Sequence, residues 1–328
     1  MALFTTFITT PFLTAVYKPA RRSAPYKHRT IERPAGAADT ELRILACFHG
    51  SRRIPSLITL IESSRGTRRR GLTVYAMHLM ELSERSSAIS TVHRARLNGL
   101  PFSSHGRRAS AAPDDHVVVA FEAYRQLSRV SVRPMTAISD LRTIHDDIIA
   151  SAQQKRVAII VLPFHKVQRL DGSFECLGAA HRLLNLRILC HSPCSVAVLV
   201  DRGLEGAGQV SSSDFSLTVA ILFFGGPDDR EDLAYGARMA EHPGIAVTLF
   251  RFFSVSAGKE DLSDTASVEH FRSKTATMES AKFVEMVVGE QAEVVAAIKS
   301  VGSFNLFLVG RRAATAALAE RTCSKLRY

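Results

Sequence analysis

The chain has no tryptophan among its 328 residues and only five cysteines. Without Trp it lacks one common anchor of carbohydrate and peptide sites. Cys47, Cys176, Cys190, Cys194 and Cys323 are odd in number and form no disulfide framework, which suits a reducing, cytosolic compartment. Cys190-His-Ser-Pro-Cys194 gathers two thiols and an imidazole but lacks the second ligand pair of a structural zinc site, so no metal is expected. No Ser/His/Asp or Cys/His arrangement and no paired-carboxylate pattern argues for catalysis, so an enzyme is not expected either. Acidic residues are missing before Glu32, and charge of either sign is missing from the first 17 residues, MALFTTFITTPFLTAVY.

What charge there is lies unevenly. The chain carries +11 overall; residues 1–108 account for +12 and residues 109–328 for −1. A basic block is one signature of nucleic-acid binding. Here the Arg residues are not interleaved with aromatics and no reader motif appears, so no nucleic acid is expected. Attraction to an anionic cytoplasmic membrane surface fits the block better, and a solvated basic loop is the plain alternative. The apolar start lacks the charged beginning of a signal peptide. Its Thr, Ser and late Arg content leaves a transit peptide open. Seventeen apolar residues are short of the roughly 20 that span a bilayer, so Met1–Tyr17 reads as the end of a membrane helix. Lys18, Arg21, Arg22, Lys27 and Arg29 then form a membrane-proximal basic cluster on the cytosolic side.

Downstream the chain reads as two related α/β units. ELRILACFHG (Glu41–Gly50) and FSLTVAILFFGG (Phe215–Gly226) are uncharged or nearly uncharged strands that end in glycine and lead through a polar turn into a helix. Each unit has a later strand with a basic tip, VAIIVLPFHK (Val157–Lys166) and FNLFLVGRR (Phe304–Arg312). Residues 18–39 read as a basic linker. Unit one spans 40–203 with a long Arg- and Ser-rich insertion at 83–115, and 204–214 links it to unit two at 215–312. Within unit one, helices are expected at Pro55–Glu62, Asp140–Gln154 and Phe174–Leu189, and strands at Leu72–Leu82, Val130–Ala137, Val157–Pro163 and Ser195–Val200. Unit two offers strands at Leu217–Phe224, Ile245–Phe253, Lys282–Val288 and Phe304–Val309. Its helices are expected at Arg230–Glu241 and Glu290–Ser300, and Ser256–Ser280 reads as an acidic, polar stretch. The alternation predicts mainly parallel sheets with right-handed crossovers. No fifth strand is legible in unit two, which therefore reads as truncated, with a divergent tail at 313–328.

This layout resembles two tandem universal-stress-protein-like, Rossmann-like units. The stretches ALFTTFITTP…AVYKPARR, ELRILACFHG…PSLITLIESSRG, AFEAYRQLS…SVRPMTAISDLRTIHDDI, IIVLPFHK…LDGSFECLG, CSVAVLVDRG, VAILFFGGPDDREDLAYGARMAEHPGI and NLFLVGR resemble the cytosolic C-terminal region of the plant cation/proton exchangers. The resemblance implies a membrane location with this region facing the cytosol. It also implies a regulatory role for a monovalent cation (K⁺)/H⁺ antiporter in cation transport and pH homeostasis. The family's transport domain, with its intramembrane Asp, is not within this sequence. That transmembrane domain is the partner the resemblance implies, beside a regulatory protein or small ligand and a homodimer contact. A stand-alone nucleotide-binding stress protein is the alternative.

The candidate ligand-binding residues are the strand-end turns. Gly225-Gly226 precedes a helix whose N-terminus would attract a phosphate, but Asp228, Asp229, Glu231 and Asp232 crowd that end and repel one. They are equally well explained as helix N-terminal charge and an N-cap. His49-Gly50, followed by Ser51, Arg52 and Arg53, would attract an anion. His165 and Lys166 end a strand at the usual ligand edge of a parallel sheet, and a histidine there suits pH sensing near neutrality. Gly310 and Arg311 are the matching pair in unit two. Nucleotide-binding universal stress proteins carry a G-x2-G-x9-G-[ST] phosphate loop, which Gly310, Gly172 and Gly178 do not form, so no cofactor is expected.

Overall fold

The computed structural model describes residues 28–32, 41–66, 71–82, 120–204 (without 122, 125, 127, 129, 170 and 171), 215–253, 261–289 and 291–311. Met1–Tyr17, Lys18, Arg21, Arg22, Lys27, the insertion 83–115, the linker 205–214 and the tail 313–328 lie outside the described residues. Among the described residues no helix is long and apolar enough to cross a membrane.

Unit one runs β1 (Leu42–Phe48), α1 (Ile54–Ser63), β2 (Leu72–Glu81), β3 (Ser131–Ser139), α2 (Ile144–Lys155), β4 (Ile159–Pro163), β5 (Lys166–Gln168), β6 (Phe174–Cys176), α3 (Ala179–His191) and β7 (Ser195–Leu199). Unit two runs β8 (Leu217–Phe223), α4 (Pro227–Met239), β9 (Ile245–Phe253), α5 (Leu262–Thr275), β10 (Ala281–Val287), α6 (Gln291–Ser300) and β11 (Leu306–Val309). The sheet orders are β3-β2-β1-β4-β7 and β10-β9-β8-β11, and every pairing within these two sheets is parallel. Among the described residues the second order repeats the first four places of the first, so the α/β class and the two-unit architecture are as expected. The opening strands LRILACF and LTVAILF share one burial pattern, one half-exposed second residue in an otherwise buried strand. Such near-continuous apolar runs are what a strand covered on both faces needs.

Each sheet has one face on a shared core and the other on its own. The shared core joins Ile44, Leu57, Ile61 and Val74 of unit one to Val219, Ile221, Leu233 and Val247 of unit two. Leu45, Met77, Ile148, Ile160 and Ile188 fill the outer face of sheet one. Ala220, Leu222, Phe250 and Phe252 do so in sheet two. α1 and α4 are therefore interior helices, and α1 buries even Ser56, Thr59, Glu62 and Ser63. α2 buries only Ile144, Ile148 and Ala152, the i, i+4, i+8 stripe of an outer helix.

Polar groups close the seam between the units. Ser64 Oγ and Tyr235 Oη share a hydrogen bond of 2.5 Å. The Arg238 guanidinium donates to the carbonyls of Ser64 (2.9 Å), Gly71 (3.0 Å) and Arg65 (3.4 Å). Glu62 accepts from Tyr124 Oη at 2.6 Å and Arg65 at 2.8 Å and lies 3.5 Å from His242. Burial alone would raise its pKa, but the His242 and Tyr124 hydrogen bonds and the Arg65 charge outweigh it and leave the carboxyl below its ordinary value.

Two segments depart from the sequence reading. Phe174–Leu189 is not one helix: Phe174–Cys176 pairs antiparallel with Lys166–Gln168, and α3 starts only at Ala179. Gly172 (φ 83°) and Gly178 (φ 119°) bracket the second hairpin strand in conformations that break a helix. Ser256–Ser280 contains a 14-residue helix, α5, capped by the Asp261 carboxylate on the Ser263 N–H. Its polarity hid it, because only Val268, Phe271 and Thr275 are buried. Arg29, read as one of five membrane-proximal basic residues, lies against the start of β7. It bridges Cys194 in parallel, and its guanidinium donates to the Arg156 carbonyl at 2.7 Å.

Candidate functional site

In each sheet the strand order reverses beside the first strand of the unit, between β1 and β4 and between β8 and β11. The carboxyl ends of strands at such a reversal form the usual ligand crevice of an open α/β sheet. The registers Ala46↔Val161 and Ile221↔Leu308 put His49 and Gly50 just past the β4 end, and set Gly310 level with Phe223 and Arg311 level with Phe224, one residue before Gly225. The sequence candidates thus fall into two clusters. His49, Gly50, His165 and Lys166 gather at sheet one, and Gly225, Gly226, Gly310 and Arg311 at sheet two.

The sheet-one cluster is a set of histidines and arginines drawn onto the protein itself. The His49 and His181 rings meet edge to face, 4.7 Å between centroids. Burial pushes the His49 pKa down to about 4, and the charges of His181, Arg53 and His78 add to this. His165 is also lowered, by burial and then by Lys166, Arg182 and His181, away from the neutral range its sequence position suggests. Arg53 Nη1 and Nη2 donate to the carbonyls of Phe164 (3.1 Å) and Lys166 (3.4 Å). Asp201 takes the Ser56 hydroxyl at 2.5 Å and the N–H groups of Gly203 and Leu204. The cavity that Phe48, Arg53, Leu162, Leu199 and Asp201 line holds about 10 Å³, room for one water. A nucleotide-sized ligand needs roughly 300–1,000 Å³.

At sheet two the turn carries its own anions. Gly225 (φ 106°) and Gly226 (φ 101°) point successive backbone N–H groups into the concavity ahead of α4. Asp229 Oδ2 accepts from Phe224 N–H (2.6 Å) and Gly225 N–H (2.9 Å), and Asp264 Oδ2 accepts from Gly226 N–H (2.9 Å). The N-cap position is Gly226 itself, without a side-chain cap, so none of the four acids serves there. Instead Asp229 reaches back from the third helical position past the N-cap to the N–H groups of Phe224 and Gly225, while Asp264 takes the N-cap N–H of Gly226. Arg230 pairs with Asp264 and Asp261 and with Glu32 (3.2 Å), tying α5 and the segment at residues 31–32 to the same helix. Glu231 accepts from the N–H groups of Ile31 and Glu32 and from Ser195 Oγ, 2.7 Å away in unit one. A Cβ on Gly310 would overlap the other Asp229 oxygen and come within 2.8 Å of the Asp229 N.

Asp229 is 0 % exposed, and its Oδ1, like Oδ2 of Asp232, is buried without a hydrogen-bond partner. Burial pushes the Asp229 pKa up to about 7, against its two backbone hydrogen bonds and with the charges of Asp228 and Asp264. Burial, then Asp229, Glu231 and Asp228, pushes Asp232 up to about 8. Among the described residues no group of three His, Cys, Asp or Glu side chains could hold a metal ion. Asp264 is the residue of this site that sequence reasoning missed. The Asp261–Ser263 cap with Val268 and Phe271 three apart was its signal, and it was weak beside the polarity of the stretch.

Two family models match. The plant cation/H(+) antiporter domain covers residues 74–204, and the plant cation/H(+) antiporter C-terminal domain covers residues 216–326. The chain belongs to the plant cation/proton antiporter family. Cation/H(+) antiporter 19 of Arabidopsis thaliana is 53 % identical over 99 % of this chain. Cation/H(+) antiporter 18 of the same plant is 53 % identical over 95 % of it. Cation/H(+) symporter 13, also from that plant, is 32 % identical over 94 %. The chain spans 42 %, 41 % and 37 % of the length of these relatives. Among solved structures, a universal stress protein from Archaeoglobus fulgidus aligns with 80 % of this chain and 84 % of its own at 9 % identity and a TM-score of 0.45. One from Pseudomonas aeruginosa aligns with 83 % of this chain and 82 % of its own at 14 % identity and a TM-score of 0.38.

Proposed function

We propose that this chain is the cytosolic regulatory region of a monovalent cation (K⁺)/H⁺ antiporter that serves cation transport and pH homeostasis, attached to a transmembrane transport domain. The observation that carries the reading is the 53 % identity to antiporter 19 along essentially the whole chain, which matches 42 % of that longer relative. The two strand-end turns support regulation over catalysis: their polar groups are used on the protein itself, and the sheet-one cavity admits one water. Relatives named for opposite directions of coupling, antiporter and symporter, share this region. That suits a part that adjusts transport without setting its direction. The basic residues Lys18, Arg21, Arg22 and Lys27 would meet an anionic membrane surface, and a regulatory protein, small ligand or second copy would act on the α/β units.

The test is transport by the full-length antiporter reconstituted in vesicles, with and without the part corresponding to residues 41–311. The proposal expects K⁺/H⁺ exchange to survive the deletion and to lose its dependence on cytosolic-side pH. An unchanged pH profile refutes the regulatory role, and loss of all exchange by a correctly inserted protein makes the region part of the transport machinery.

A further inference from the structure

Sheet two holds a pair of acids that the antiporter reading does not itself require. Asp229 and Asp232 lie three residues apart on α4, on neighbouring positions of one helix face, where α4 packs on β8 and β11. Asp229 is fully buried, with one oxygen spent on two N–H groups and the other on nothing. Asp232 likewise buries an oxygen without a partner. Two unpaired carboxylate oxygens in such a place are costly if both groups are ionised. The cost falls when one carboxyl of the pair carries a proton, because neighbouring like charges then no longer have to ionise together.

We propose that Asp229 and Asp232 form a proton-binding site in the second unit, the pair holding one proton on the acid-crowded face of α4.

The surrounding charges favour the bound proton. On its own helix the pair meets Asp228 and Glu231, both acidic, and from α5 it meets Asp264. The nearby cation of α4, Arg230, is committed to Asp264, Asp261 and Glu32. At the end of β11 the pair meets the backbone of Gly310, beyond which Arg311 lies at the exposed surface. Release of the proton sets two like charges one helical turn apart beside Asp264. Asp264 and Asp229 are the acids that hold the Gly225-Gly226 turn closed. Protonation is thereby coupled to the turn that joins β8, α4 and α5, and through Arg230 and Glu231 to residues 31–32 and β7. The site rests on this geometry; its use as a sensor rests on the regulatory reading above.

The experiment is infrared difference spectroscopy on the full 328-residue chain between about pH 6 and about pH 9, a window in which ordinary carboxylates are fully ionised. The wild type is expected to show the carbonyl stretch of a protonated carboxylic acid at the low end and to lose it at the high end. The double variant Asp229→Asn/Asp232→Asn is expected to lack the band. Each single Asn variant should lower its midpoint, because one like charge beside the remaining carboxyl is gone. Absence of the band from the wild type overturns the proposal, and so does its persistence in the double variant or an unmoved midpoint in both single variants. If the double variant fails to fold by circular dichroism, the wild-type band and the single-variant midpoints still decide. A transport assay that contradicts the regulatory reading leaves the band untouched, so the two failures are distinguishable.

Discussion

The turn after β1 and the turn after β8 occupy the same place in the same topology and solve the same problem with opposite charge. Backbone N–H groups at a strand-to-helix turn want an anion. After β8 the protein supplies two of its own, Asp229 and Asp264, and pays with an acid-crowded helix end. After β1 the ring of side chains is cationic or imidazole, and Arg53 is turned onto the carbonyls of Phe164 and Lys166. Neither turn is left as an open phosphate cradle. The comparison teaches that a duplicated fold keeps its strand geometry, as LRILACF and LTVAILF do, while the loops between strands and helices diverge in charge.

The comparison can be broken most forcefully at Gly310. Gly310→Ala drives a methyl group into the Asp229 carboxylate and the Asp228–Asp229 backbone. Urea unfolding should show a loss of about 3 kcal/mol, the upper end for overpacking. A loss under about 0.5 kcal/mol would mean that the turn is not packed as described. The two turn glycines sharpen the contrast at a smaller scale. Gly225→Ala must adopt φ 106° and bring its Cβ to 2.8 Å from Asp264 Oδ2, which should cost about 1–3 kcal/mol. Gly50 needs no positive φ and a Cβ there meets nothing within 4 Å, so Gly50→Ala should be neutral or stabilise by about 0.4–1 kcal/mol. Equal costs at the two positions would erase the difference between the turns.

The smallest expected effect lies in the pH dependence of stability, where the two turns should have opposite signs. His49 has its folded pKa lowered to about 4 from 6.5. Between those values the unfolded chain binds more protons, so stability falls as pH drops through that window. His49→Gln should flatten that limb, by on the order of 1–2 kcal/mol. Asp229 and Asp232 have folded values raised to about 7 and about 8 from 3.8. There the folded state binds more protons, so stability falls as pH rises from about 4 toward 8, and Asp232→Asn should flatten that limb. Urea midpoints across the pH range read both limbs, and limbs of the same sign would contradict the account.

Much of this was legible in the sequence. The opening strands, their glycine ends and the parallel order followed from uncharged runs alternating with helical stretches. The reading of unit two as lacking a fifth strand falls on residues after Arg311, outside the described residues. The acid crowding at Asp228–Asp232 was visible as a reason against phosphate. Its resolution was not, because Asp264 reaches the turn from a helix 38 residues away in the chain, and separation of that kind carries no local signal. The β5–β6 hairpin was hidden for a related reason. Phe174–Cys176 is apolar enough to join the helix after it, and only the positive φ of Gly178 separates them. The seam between the units, with Glu62, Tyr124, Arg238 and His242, depends on how two helices face each other, which periodicity within either one does not specify.

The most direct test of the central claim, that the strand-end turns are filled by the protein itself, is calorimetric titration of the full chain with ATP at low salt. The wild type is expected to give no binding heat, and Asp229→Asn/Asp264→Asn, which strips both charges from the Gly225-Gly226 turn, is expected to bind phosphate groups weakly and measurably. Micromolar ATP affinity in the wild type would contradict the account and restore a nucleotide site.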